Sequence, residues 1–171
     1  MSKFPIDIVN LNNEFKDEIE TAVRIANSTQ IEFNFSIVND RIKRKYELLN
    51  FDNIKADEFF LEATKIRDEH KGFYPHILFL TESSIEDDGW QNLFGTTYTD
   101  LGFSILTSHS VADLIIPKEK MVSYFVYYLP RMALKFVIKD KYNHFEPSEK
   151  GCLFDFCENW LFRSDHATLF G

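Results

Sequence analysis

At 171 residues, with 44% hydrophobic and 16% aromatic side chains, the chain can bury a core of ordinary domain size without disulfides or metal, which excludes a disordered polypeptide. Nineteen basic against 27 acidic residues leave a formal net charge of -8, which disfavours broad contact with a nucleic-acid backbone. Two cysteines make no disulfide framework and the N-terminus has no apolar secretory core, so the reducing cytoplasm is the expected compartment.

Residues 6–11 read as a first strand, after which Asn12 or Asn13 offers a side-chain oxygen to the free amides of a helix. Phe15, Ile19, Ala22, Val23 and Ala26 line one face of that helix. Ile31, Phe33, Phe35 and Ile37 then alternate with Glu32, Asn34 and Ser36, the pattern of a strand with one wet face near a sheet edge. Strand, helix and strand in this order begin a parallel crossover unit.

Asn39 and Asp40 mark a turn, residues 41–45 a solvated basic strand end or loop, and residues 46–51 a short strand or loop. Asp52 or Asn53 caps an expected helix over 54–70, with Phe59, Phe60, Ala63 and Ile66 buried and Gly72 just past its end. The apolar run 76–81 fits a strand covered on both faces. An acidic turn over 82–89 ends in Asp88-Gly89, and residues 93–99 and 102–107 predict an antiparallel edge hairpin.

The strongest helical pattern opens at Pro117, in a run that extends to 157 and closes in a turn holding both cysteines. Val122, Phe125, Val126, Leu129, Ala133, Phe136 and Val137 recur at spacings of three and four, and Pro130 is expected to kink the helix. Ser123, Pro130, Arg131 and Lys135 interrupt it too early for a membrane span. The expected fold is therefore α/β: a mixed sheet of four to six strands with an antiparallel edge hairpin and a long central helix, in one domain over 1–159. An apolar tail, 160–171, follows and could dock on the body or on a partner.

No glycine loop for phosphate and no Gly-x-Ser-x-Gly elbow is present. Cys152 or Cys157 with His144 would pair a nucleophile with a base, but nothing in the sequence supplies a thiolate-stabilising environment. Thiolate and imidazole suit zinc, and His144, Cys152, Cys157 and His166 could supply four ligands. The competing reading is a pair of buried thiols on a strand, given the alternation of Leu153, Phe154 and Phe156 around them. His70 reads as a surface residue at a helix end, His76 as a satisfied core or edge histidine, and His109 as flanked by Ser108 and Ser110 with no evident acid. Glu82, Glu86, Asp87 and Asp88 lack calcium-loop spacing and read as a solvated turn.

In its second half the chain resembles the archaemetzincin branch of the zincin-fold zinc peptidases. The resemblance rests on residues 77–82 (Ile-Leu-Phe-Leu-Thr-Glu), the acidic turn, residues 90–95 (Trp-Gln-Asn-Leu-Phe-Gly), the edge strand through Phe103-Ser104-Ile105-Leu106, the long helix, and the histidine and cysteine-bearing turn after it. It implies a zincin-like scaffold. In that family the helix carries His-Glu-x-x-His, two imidazoles on one face with a glutamate base. Here the corresponding stretch starts at Leu134 and holds only His144, matching the third histidine and followed by Phe145 where the family has cysteine. The family's structural zinc takes four cysteines, twice the number present. The resemblance therefore implies a scaffold without its catalytic zinc.

Three functions follow as expectations. The first is a non-catalytic cytoplasmic domain that binds a protein partner or itself. The second is a metal-dependent hydrolase drawing on His144, Cys152, Asp155, Cys157 and His166, and the third a nucleic-acid adaptor using the basic residues 41–45.

Overall fold

The computed structural model describes residues 2–69 and 75–138. Strand β1 (Phe4–Asn10) leads through a short turn into α1 (Lys16–Thr29), then β2 (Phe33–Ile37) and α2 (Asp40–Tyr46). A 3-10 turn, Glu47–Leu49, precedes β3 (Asn53–Lys55) and α3 (Ala56–Glu69). Next come β4 (Ile77–Thr81), β5 (Ser84–Glu86), β6 (Gly95–Tyr98), β7 (Phe103–Thr107), α4 (Val111–Leu114) and, after the 3-10 turn Lys118–Lys120, α5 (Met121–Ile138).

The main sheet has the order β2-β1-β4-β7-β6. Its first four strands are parallel and β6 runs antiparallel to β7, so the sheet is mixed with a hairpin at one edge, as expected. Parallel pairing requires a crossover that covers a sheet face, and the strands read accordingly. All five residues of β4 and all five of β7 are buried, whereas β2, at the other edge, buries only Phe33 and Phe35. Ile31 is 79% exposed and lies outside the strand, which starts two residues later than the alternation suggests.

Period-two alternation divides the sheet side chains between two cores. Ile6, Ile8, Leu78, Leu80 and Leu106 face α1 and α5. Val9, Ile77, Phe79, Phe103 and Ile105 face α2 and α3. On the second face Phe79 contacts Phe59, Tyr46 and Phe103 with ring centroids 4.9, 5.2 and 5.8 Å apart, the separations at which aromatic edges and faces attract.

Four local expectations are corrected. Residues 41–45 form neither strand end nor loop: they lie in α2, because the Asn39 side chain caps the helix by accepting from the Ile42 amide instead of making a turn. Residues 46–51 hold a 3-10 turn. The helix expected from 54 starts at Ala56, since Asn53–Lys55 pair in parallel with Ser84–Glu86 as a separate two-stranded sheet. That pairing also turns part of the acidic segment 82–89 into strand β5.

The long helix runs unbroken through Pro130 as far as Ile138, the limit of the described residues. Its buried arc holds Met121, Tyr124, Phe125, Leu129, Met132, Ala133 and Phe136, while Val137 is 54% exposed. The arc is rotated from the expected stripe because α5 meets α1 as well as the sheet, which draws Met121, Tyr124 and Met132 inward. No described helix is long and apolar enough to cross a membrane.

Candidate functional site

In an open parallel sheet the carboxyl ends of the strands are where loops can present chemistry. Here each central strand ends its apolar run on a polar residue: Asn10 after β1's Val9, Thr81 after Leu80, Thr107 after Leu106. All three are buried, as are Asn12, Ser83 and Ser108. A buried polar group is costly unless paired, and these are paired with one another. Asn12 accepts from the Phe15 amide at 2.9 Å to start α1, while its own side-chain amide donates to the Ser108 hydroxyl. Thr81 donates to the Asn50 side-chain oxygen at 2.7 Å, and Thr107 donates to the Ser83 carbonyl at 2.6 Å. The seam ties the crossovers together. Among the described residues its hydroxyls bond to neighbouring amides, hydroxyls and carbonyls.

The acidic segment is taken apart in the same way. A Glu82 carboxylate oxygen accepts from the amides of Asn13 and of Glu14, the latter at 2.8 Å, just ahead of α1. Asp87 accepts from the Thr96 hydroxyl at 2.6 Å and the Tyr98 phenol at 3.0 Å, fastening the segment after β5 to the edge strand. Burial and then that hydrogen bond to Asp87 push the Tyr98 hydroxyl up to about 12. Asp88 and Gly89 make the tight turn, with φ of 49° and 80°. The four acids are thus spread over different tasks, and among the described residues no cluster of three His, Cys, Asp or Glu could hold a metal ion.

Of the histidines, His109 donates its backbone amide to the Thr107 hydroxyl at 2.9 Å, and its ring Nδ1 lies 3.2 Å from the Glu82 carbonyl. His76 immediately precedes β4. Its ring sits between Phe4 and Phe136, with centroids 4.5 and 5.0 Å away, and its Nδ1 is buried with no hydrogen-bond partner among the described residues. Burial first, and then the Arg67 guanidinium, hold its pKa below the usual histidine value. His70 and the proposed ligands His144, Cys152, Cys157 and His166 lie outside the described residues, as do Asp155 and the tail 160–171.

Helix α5 follows the edge hairpin and packs beneath it. Tyr124 donates to the Thr107 carbonyl at 2.5 Å, and Phe94, just ahead of β6, stacks on Tyr128 with centroids 5.9 Å apart. A Cβ on Gly95 would overlap the Ile105 carbonyl and press on Met132, so glycine permits the close approach of β6 to both β7 and the helix. Not one of the 18 residues of α5 is His, Cys, Asp or Glu. Its donor set does not fit zinc.

On the opposite face of the sheet, between β3 and α3, lies a groove of about 580 Å³ with Leu49, Phe51, Ile54, Phe59 and Leu61 as its apolar lining. Phe51 and Leu61 are 61% and 58% exposed, and neighbouring Leu48 80%. The basic residues of 41–45 lie on α2, where Lys43 lies 3.8 Å from Glu47 and Arg44 Nε donates to the Asp40 carbonyl at 3.3 Å.

No protein-family profile and no curated protein matches the chain in sequence. Three solved structures match its fold. Archaemetzincin from Methanopyrus kandleri aligns with TM-score 0.59 at 15% identity, over 94% of this chain and 84% of its own. A zinc-dependent peptidase from Methanocorpusculum labreanum gives 0.55 at 11% identity, over 91% and 90%. Archaemetzincin from Archaeoglobus fulgidus, complexed with malonate, gives 0.50 at 13% identity, over 91% and 87%. The fold is zincin-like, at an identity that shows architecture alone.

Proposed function

We propose that the chain is a non-catalytic cytoplasmic protein-interaction domain on a zincin-like scaffold that has lost its catalytic zinc. The observation that carries this reading is the composition of α5. The helix stands where the resemblance implies two imidazoles and a general base, yet its described residues, Met121–Ile138, include no imidazole, thiolate or carboxylate. Among those described residues neither water activation nor carbonyl polarisation has a group to perform it. Binding remains, and the exposed Leu48, Phe51 and Leu61 supply apolar surface of the kind that contacts a protein partner.

The test combines elemental analysis of protein purified without chelators with hydrolysis of a peptide library, before and after zinc addition, and with binding assays on Leu61→Glu. Expected are no zinc-dependent hydrolysis, a melting temperature indifferent to chelator, and loss of partner binding in the variant. One zinc per chain with chelator-sensitive hydrolysis would overturn the reading in favour of a hydrolase built on His144, Cys152, Asp155, Cys157 and His166. Cell fractionation checks the compartment.

A further inference from the structure

Strand β2 closes one edge of the main sheet, and such an edge offers a row of backbone groups to any further strand. Which groups turn outward follows from its pairing with β1. The Phe4 amide donates to the Glu32 carbonyl and the Val38 amide to the Ile8 carbonyl, so residues 32, 34, 36 and 38 direct their backbone groups to β1, while Phe33, Phe35 and Ile37 turn theirs away. The strand is also a strong template. Residues 33–38 read Phe-Asn-Phe-Ser-Ile-Val, with no charge, proline or glycine, the composition that favours the stacking of one strand on another.

Two side chains from the end of α1 occupy this edge. Asn27 Nδ2 donates to the Phe35 carbonyl at 2.8 Å, and its Oδ1 accepts from the Phe35 amide at 2.9 Å. Gln30 does the same for Phe33: Nε2 donates to the carbonyl at 2.9 Å and Oε1 accepts from the amide at 2.6 Å. A carboxamide carries a donor and an acceptor as a peptide group does, so each imitates the neighbouring strand that an edge lacks. Lys3, just ahead of β1, holds the helix end in place. Its Nζ donates to the Asn27 and Gln30 carbonyls at 2.9 and 3.0 Å, bringing to the C-terminus of α1 the cation that the last turn lacks.

One of these four side-chain bonds to β2 would suffice to fasten helix to strand. With all four, an incoming strand meets engaged groups at two of the three outward-turned residues. We infer that Asn27 and Gln30 guard the edge, barring the β2 of one copy from pairing with the β2 of another. The guard is independent of the groove and of the protein-binding reading above.

Amide hydrogen exchange and light scattering on the full chain test it. Asn27→Ala is expected to speed exchange at the Phe35 amide by about tenfold or more and to leave Phe33 unchanged, and Gln30→Ala to do the reverse. Alanine is the better helix former at position 27, so the substitution does not weaken α1 itself. The double variant is expected to assemble beyond the size of the parent at equal concentration and to bind thioflavin T. Adding Ile37→Lys to it is expected to restore the parent's size, because a lysine on an edge strand blocks strand addition. Asn12→Ala, weakened at the polar seam instead, controls for lost stability and is expected to keep the parent's size. Thermal unfolding checks that the double variant is folded; where it is not, the same comparison is made on the single variants, each of which keeps one carboxamide in place.

Variants that keep the parent's size overturn the guard, as does an assembly that Asn12→Ala shares or that Ile37→Lys leaves intact. Exchange at Phe33 and Phe35 that the single variants do not alter overturns it equally.

Discussion

Asn12 shows how much one side chain can carry. It accepts from the Phe15 amide in the turn ahead of α1 and reaches across to Ser108 after β7, joining two segments that are 96 residues apart in sequence. Asn12→Ala should cost about 1–2 kcal/mol, read as a shifted denaturant midpoint with unchanged slope. Gly95 acts by having no side chain. In Gly95→Ala the new methyl has to displace the Ile105 carbonyl or Met132, and the expected loss is about 1–3 kcal/mol by chemical unfolding. His76 adds a pH dependence. Its folded-state pKa lies below the unfolded value near 6.5, so the unfolded chain binds the proton more readily. Its contribution is therefore whole above about pH 6.5, is lost as pH falls through the lowered folded value, and is flat below it. The difference in stability between the parent and His76→Leu, followed over that range, isolates the effect; a constant difference would refute it.

Among the elements, α5 is where sequence and structure meet most closely and also where they part. Its length and apolar face are plain in the spacing of Phe125, Leu129, Ala133 and Phe136. Which flank of the stripe turns inward is not, because Val122 and Met121 are equally apolar and only the position of α1 chooses between them. Tyr124 is the clearest consequence: it is buried with its hydroxyl on the Thr107 carbonyl. Tyr124→Phe should cost about 1 kcal/mol without changing the secondary structure. The small elements α2, β3 and β5 escaped notice for a related reason. Segments of three to seven residues contain too few periods to display one, and β3 and β5 owe their strand character to each other across about thirty residues.

At the scale of the molecule, the sheet separates two cores among the described residues. Ile19 belongs to the side of α1 and α5, Ile85 to the side of α2 and α3. Ile19→Val and Ile85→Val should each cost about 0.5–1.5 kcal/mol and add to within about 0.5 kcal/mol in the double variant. A larger coupling would mean that the two faces respond as one. This separation also places the features of functional interest apart, with α5 on one face and the apolar groove on the other.

The sequence by itself determined the order of the large elements, the mixed sheet with its edge hairpin and the absence of His-Glu-x-x-His, because periodicity and motif are local properties that a single chain displays. It also held the sign of the polar seam, since Asn10, Thr81 and Thr107 each close an apolar run, though not the pairing that makes the seam. Only the tertiary structure decided that Asn12 meets Ser108, that Glu82 and Asp87 serve different loops, that His76 is enclosed by Phe4 and Phe136, and that Leu49, Phe51 and Leu61 line one groove. Each of these depends on which surfaces the crossovers bring together, and that is set by the packing of both sheet faces at once, which no local pattern encodes.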